Sequence, residues 1–100
     1  MVKLTSVGWI EDRLRNFNRR NIPILFEAHY LARETERNLN VKLVERVVRT
    51  GRPVIEKSTF PDRICFKMYV GKTNETYEVP VKIRKDFLEV KSAWKRKGRH

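Results

Sequence analysis

The chain has 100 residues, 40% of them hydrophobic and 35% charged, which fits one folded domain and excludes a disordered chain. Lys and Arg number 23 against 12 acidic residues, and a net charge of +11 draws in a polyanion such as nucleic acid. One cysteine, Cys65, excludes an internal disulfide and a cysteine-based zinc site, and His29 and His100 are too few for a histidine-rich one. Neither a metal nor a cofactor is expected, because no phosphate-binding glycine loop or cofactor fingerprint is present either. Cysteine usage points to a reducing compartment, the cytoplasm. No apolar run reaches the ~18 residues that span a bilayer, no signal-peptide core opens the chain, and no membrane partner is expected.

Helical spacing comes first in the chain. Ser6 is placed to cap a helix carrying Ile10, Leu14 and Phe17, with Trp9 beside them. Glu11 and Asp12 at its start and Arg19 and Arg20 at its end suit the helix dipole. Pro23 interrupts, and a second helix is expected from near Ile24 to about Arg37, with Leu25, Ala28 and Ala32 on one stripe. Asn38 ends it. Asn40 is an N-cap for a third helix bearing Val44, Val47 and Val48, and Gly51 fits its C-terminal cap.

After Gly51 the period becomes two. Residues 53–57 suit a short edge strand, where proline is tolerated. Ile64, Phe66, Met68 and Val70 then alternate with Arg63, Cys65, Lys67 and Tyr69. Gly71-Lys72-Thr73-Asn74 is turn chemistry. Residues 77–83 alternate again, Lys85-Asp86 makes a tight turn, and residues 88–94 alternate as a last strand, with Leu88, Val90, Ser92 and Trp94 on one side. The expected fold is α+β: two to three N-terminal helices packed on one face of a three- to four-stranded antiparallel sheet. It forms a single domain over residues 1–95, with residues 1–21 as an N-terminal helical extension and residues 96–100 as a basic tail.

The alternation has a functional implication. If Ile64, Phe66 and Met68 face the helices, Arg63, Lys67 and Tyr69 face outward, and Lys82, Arg84, Lys91 and Lys95 can share that face. Residues 82–100 hold eight basic and two acidic side chains. Clustered cations with an aromatic ring to stack a base match the way single-stranded RNA is held. A solvated, lysine-guarded sheet face would carry the same residue types.

His29, Arg33, Glu36 and Arg37 stand at i, i+4, i+7 and i+8, one polar stripe beside the Leu25–Ala28–Ala32 stripe. Spacing leaves two readings open for them, a structural histidine with a surface charge cluster, or a reactive group with phosphate-binding arginines. His29 is the one internal side chain that titrates near neutrality unaided.

The run His29-x-x-x-Arg33-x-x-Glu36-Arg37-Asn38-Leu39, then Val44-x-x-Val47-Val48-x-x-Gly51, resembles the opening of the small domains grouped as domain of unknown function 4258. A strand opening on Arg63-Ile64-Cys65-Phe66, a turn and two terminal strands continue the likeness over about residues 26–95. Ser92-Ala93-Trp94 stands where that pattern often ends in a Thr-x-Tyr-like step. That family is considered similar to the small ribonuclease toxins that include RelE, barnase and the colicin tRNase domains. The resemblance implies helices on a four-stranded antiparallel sheet and RNA bound on its open face. It also implies metal-independent cleavage by attack of the ribose 2′-hydroxyl on the adjacent phosphate, and an antitoxin protein that blocks the active face. His29, Arg33, Arg37 and Arg63 then form the catalytic set, while Lys67, Tyr69, Lys82, Arg84, Lys91, Trp94 and Lys95 hold RNA. The alternatives are a non-catalytic RNA- or DNA-binding module and a charge-driven protein-interaction domain, with the N-terminal helix available as a homodimer or partner contact.

Overall fold

A computed structural model describes residues 6–15, 18–28, 30, 37 and 39–100. The elements run α1 (Ser6–Arg15), β1 (Ile24–Phe26), α2 (Val41–Thr50), β2 (Arg52–Thr59), β3 (Arg63–Val70), β4 (Glu75–Ile83), β5 (Leu88–Val90) and β6 (Trp94–Lys97). The strands form one six-stranded sheet in the order β1-β5-β4-β3-β2, with β6 also paired to β4.

This corrects the expected architecture in two places. The chain is α+β, but the sheet has six strands rather than three or four, and it is mixed because β1 runs parallel to β5. Residues 24–26 do not open a helix. Ile24, Leu25 and Phe26 pair with Leu88, Glu89 and Val90. The ladder is bracketed by the Leu88 N–H donating to the Pro23 carbonyl (2.9 Å) and the Glu27 N–H donating to Val90 (3.1 Å). A short apolar run fits strand and helix alike, and the partner strand decides. Ala28 and Tyr30 are helical; Ala32, Arg33 and Glu36 of the expected second helix, and His29, lie outside the described residues, as does Phe17 beyond α1.

The second correction concerns the last strand. Val90 pairs with Val81, yet Trp94 pairs with Glu78, so three residues on one strand face two on the other. The extra residue splits the expected strand into β5 and β6 and inverts the alternation beyond it. Arg37 holds this break: its guanidinium donates to Ser92 Oγ (3.1 Å) and to the Ala93 carbonyl (2.9 Å).

α2 forms as its caps require. The Asn40 side chain accepts from the Lys42 and Leu43 N–H groups, satisfying two donors that the first turn leaves orphaned. At the other end the Gly51 N–H donates to Val47 (2.7 Å). Gly51 has φ −69°, so close approach, not a left-handed turn, demands glycine. A Cβ there would lie 2.5 Å from the Val47 carbonyl oxygen and 2.9 Å from that of Lys67. Arg49, in the last turn, donates to the carbonyls of Arg19, Arg20 and Ile22 and so ties the preceding turn to the helix.

The core lies on one sheet face. Ile64, Phe66, Tyr77, Val79, Val81, Leu88 and Val90 are buried against Trp9 and Ile10 of α1, against Tyr30, and against Val44, Val47 and Val48 of α2. No helix among the described residues is long and apolar enough to cross a membrane.

Candidate nucleic-acid interface

Cross-strand pairing fixes what stands on the opposite face. Partners in register share a face, which gives four rows across the sheet. One row joins Trp94, Glu78, Lys67 and Arg52; the next joins Arg96, Thr76 and Tyr69. A third joins Pro80, Cys65 and Val54, and a fourth Glu89, Lys82 and Arg63. Arg63, Lys67, Tyr69, Lys82 and Trp94 of the expected site therefore lie on one face. Lys95 does not. The break before β6 places it with Tyr77 on the core side, where its ammonium pairs with Glu75 at 3.2 Å.

Most of the expected RNA-binding cations already face a carboxylate. Lys82 is 3.9 Å from Asp62, Arg84 is 2.9 Å from Glu89, and Lys91 is 3.0 Å from Glu27 and 3.8 Å from Glu89. Arg63 and Lys67 have no ion pair with an Asp or Glu among the described residues. His29 and Arg33 of the expected catalytic set lie outside the described residues, and Arg37 is held at the β5–β6 break. Arg63 stands at the start of β3, at the opposite end of that strand from Tyr69.

The C-terminal residues fold back onto this face. The Gly98 N–H donates to the Asn74 carbonyl (2.7 Å). Thr76, only 2% exposed, donates through Oγ1 to the Gly98 carbonyl (2.7 Å) and accepts the His100 N–H (3.0 Å). Lys67 Nζ donates to the His100 main-chain oxygen (2.9 Å), and the Arg99 guanidinium lies over the Tyr69 ring, 4.3 Å from its centroid. Tyr69 in turn donates its hydroxyl to Asn74 Oδ1 (2.7 Å). Between this segment, β3 and the start of β2 lies a cleft of about 360 Å³. Arg52, Lys67, Tyr69, Thr76, Arg99 and His100 line it together with Thr50, Gly51 and Met68, and no Asp or Glu side chain does. Lys82, Arg84 and Lys91 are therefore paired with acids, whereas the cations of this cleft face no Asp or Glu in its lining.

Beside the cleft, Glu78 is a buried carboxylate, 2% exposed, with one oxygen bound by Lys57 Nζ and the other by Arg96 (2.9 Å). Burial pushes its carboxyl up, but the hydrogen bonds from Lys57 and Arg96 outweigh this and hold it below the usual carboxylate range. Lys57 also lies 5.7 Å from the Trp94 ring centroid, so that ring is partly covered. Cys65, one row away, is 1% exposed. Its thiol is pushed up to about 11, by burial first and by the Glu78 charge second, which makes it inert at neutral pH.

Arg52, Thr76, Glu78 and Arg99 were not singled out by the sequence. Arg52 enters through the register of β2 on β3, and Arg99 through a fold-back that no periodicity announces. Glu78 had a detectable signal, an acid set between Tyr77 and Val79 in the apolar alternation of β4. No group of three or more His, Cys, Asp or Glu converges as a metal site among the described residues. No family model matches this chain, and neither curated proteins nor solved structures provide a match.

Proposed function

We propose that this protein binds single-stranded RNA on the sheet face remote from α1 and α2. The observation that carries the reading is the cleft at the end of β3, where Arg52, Lys67 and Arg99 meet around Tyr69 with no Asp or Glu in the lining. Phosphates supply the missing negative charge, and a base is a natural occupant of a tyrosine face. A flexible strand suits a recessed cleft better than a rigid duplex does. Fluorescence anisotropy with a labelled single-stranded RNA tests this. The expected result is binding that weakens steeply with salt and weakens further in Arg52→Ala/Lys67→Ala; salt-independent or absent retention contradicts it.

Metal-independent cleavage of that RNA is the second reading, favoured by one observation. Arg52, Lys67 and Arg99 converge on one cleft, and cleavage through the 2′-hydroxyl needs cations that meet the charge developing on the phosphate. The resemblance to ribonuclease toxins adds His29 as the proton-transfer group, and a protein inhibitor would then cover the cleft. Incubation with RNA in EDTA should yield fragments ending in a 2′,3′-cyclic phosphate, and His29→Ala should stop cleavage while leaving binding intact. RNA bound but intact under all conditions leaves the binding reading alone.

A further inference from the structure

We infer that the RNA site does not end at the outer face but continues around the corner of the sheet onto the α2 side, where Arg46 and Lys72 hold the next phosphates. The inference rests on the RNA-binding reading and extends it to a second, separate surface.

The register opens the way. β2 begins at Arg52, opposite Lys67, so Met68, Tyr69 and Val70 pair with Tyr77, Thr76 and Glu75 on one side and with no described strand on the other. At this open edge a second cleft of about 560 Å³ adjoins the first. Its walls come from α2 (Asn40, Leu43, Arg46) and from the β3–β4 turn (Gly71, Lys72, Thr73). Met68 and Tyr69 line both clefts.

Charge points to the occupant. The second cleft, like the first, has no Asp or Glu in its lining. Arg46 and Lys72 are exposed and make no ion pair among the described residues, whereas Glu45, the adjacent acid on α2, is bound by Arg49 at 3.0 Å. Five cations, Arg46, Arg52, Lys67, Lys72 and Arg99, thus flank a path that passes Tyr69 and changes sheet face. A duplex is too stiff to turn such a corner, and a single strand is not.

Length dependence tests the inference. Binding of a 4-nucleotide and a 12-nucleotide uridine RNA is measured for the wild type, for Arg46→Ala/Lys72→Ala, and for Lys85→Glu. The last removes the same net charge at the opposite end of β4. The double variant should bind the 12-mer at least tenfold more weakly and flatten its salt slope by about 1.4, the share of two single-strand phosphates. It should bind the 4-mer within twofold of the wild type, and Lys85→Glu should leave both lengths within twofold. A double variant that binds the 12-mer as Lys85→Glu does overturns the inference while leaving the outer-face site standing. A wild type that binds neither RNA but does bind poly-glutamate overturns the RNA reading itself.

Discussion

The Arg99 guanidinium lies over the Tyr69 ring, its carbon 4.3 Å from the ring centroid, in the cleft that no Asp or Glu lines. The pair holds a planar cation against a flat ring, an arrangement that a nucleobase can replace or extend. If the ring is a stacking platform, Tyr69→Ala should weaken binding of a short RNA by about 5- to 150-fold, the worth of one stacked base. Tyr69→Phe should keep most of it, since only the hydrogen bond to Asn74 is lost. Equal losses in both variants would assign the effect to that hydrogen bond instead. Anisotropy titrations at fixed salt separate the two.

Glu78 should support the fold in a pH-dependent way. Its carboxyl titrates below the ordinary 4.5 in the folded protein. Its contribution is therefore complete above that value and is lost as pH falls through the folded-state value. Glu78→Gln leaves Lys57 and Arg96 without their counter-charge and should cost about 1–3 kcal/mol at pH 7. Urea unfolding at pH 7 and pH 3 checks this: the gap between wild type and variant should narrow at the lower pH.

Cys65 should be silent until the protein unfolds. Its thiol is neutral well above physiological pH, and it is covered by the β2 segment in which Ser58 accepts the Cys65 N–H and donates to Val54. A thiol reagent at pH 7.5 should label less than a tenth of the native protein in the time that labels all of it in urea. Rapid native labelling would mean that β2 opens readily from β3.

Gly51→Ala should destabilise the fold although a helix end usually tolerates alanine. The new methyl would press on the carbonyls of Val47 and Lys67, and forced backbone shifts of this kind cost about 1–3 kcal/mol. Because Lys67 lies in the cleft, the same variant should weaken RNA binding. Thermal melts combined with binding at a temperature where both proteins are folded distinguish the two losses.

Much of the centre of the molecule was legible in the sequence. The alternation of β3 and β4 and the caps of α2 are local signals, and Ile64, Phe66 and Val79 lie where period two puts them. What escaped depends on pairing between distant segments. Ile24-Leu25-Phe26 reads as the start of a helix until β5 offers it a parallel partner. Lys95 reads as an outward cation until one extra residue between Val90 and Trp94 turns it to the core side. Arg52 and Arg99 belong to no motif, and only the start of β2 and the bonds made by Thr76 bring them to Lys67. The basic composition was informative, but which charges are uncompensated was not, since ion pairs such as Lys91–Glu27 join residues far apart in the chain.

The most direct measurement is the salt dependence of binding to a single-stranded RNA, compared between the wild type and Arg52→Ala/Lys67→Ala. The account predicts a linear fall of log affinity with log salt, flatter by about 1.4 in the variant as two phosphate contacts are lost. Equal slopes and equal affinities for the two proteins would contradict it, and would place the contact with RNA, if any, away from this cleft.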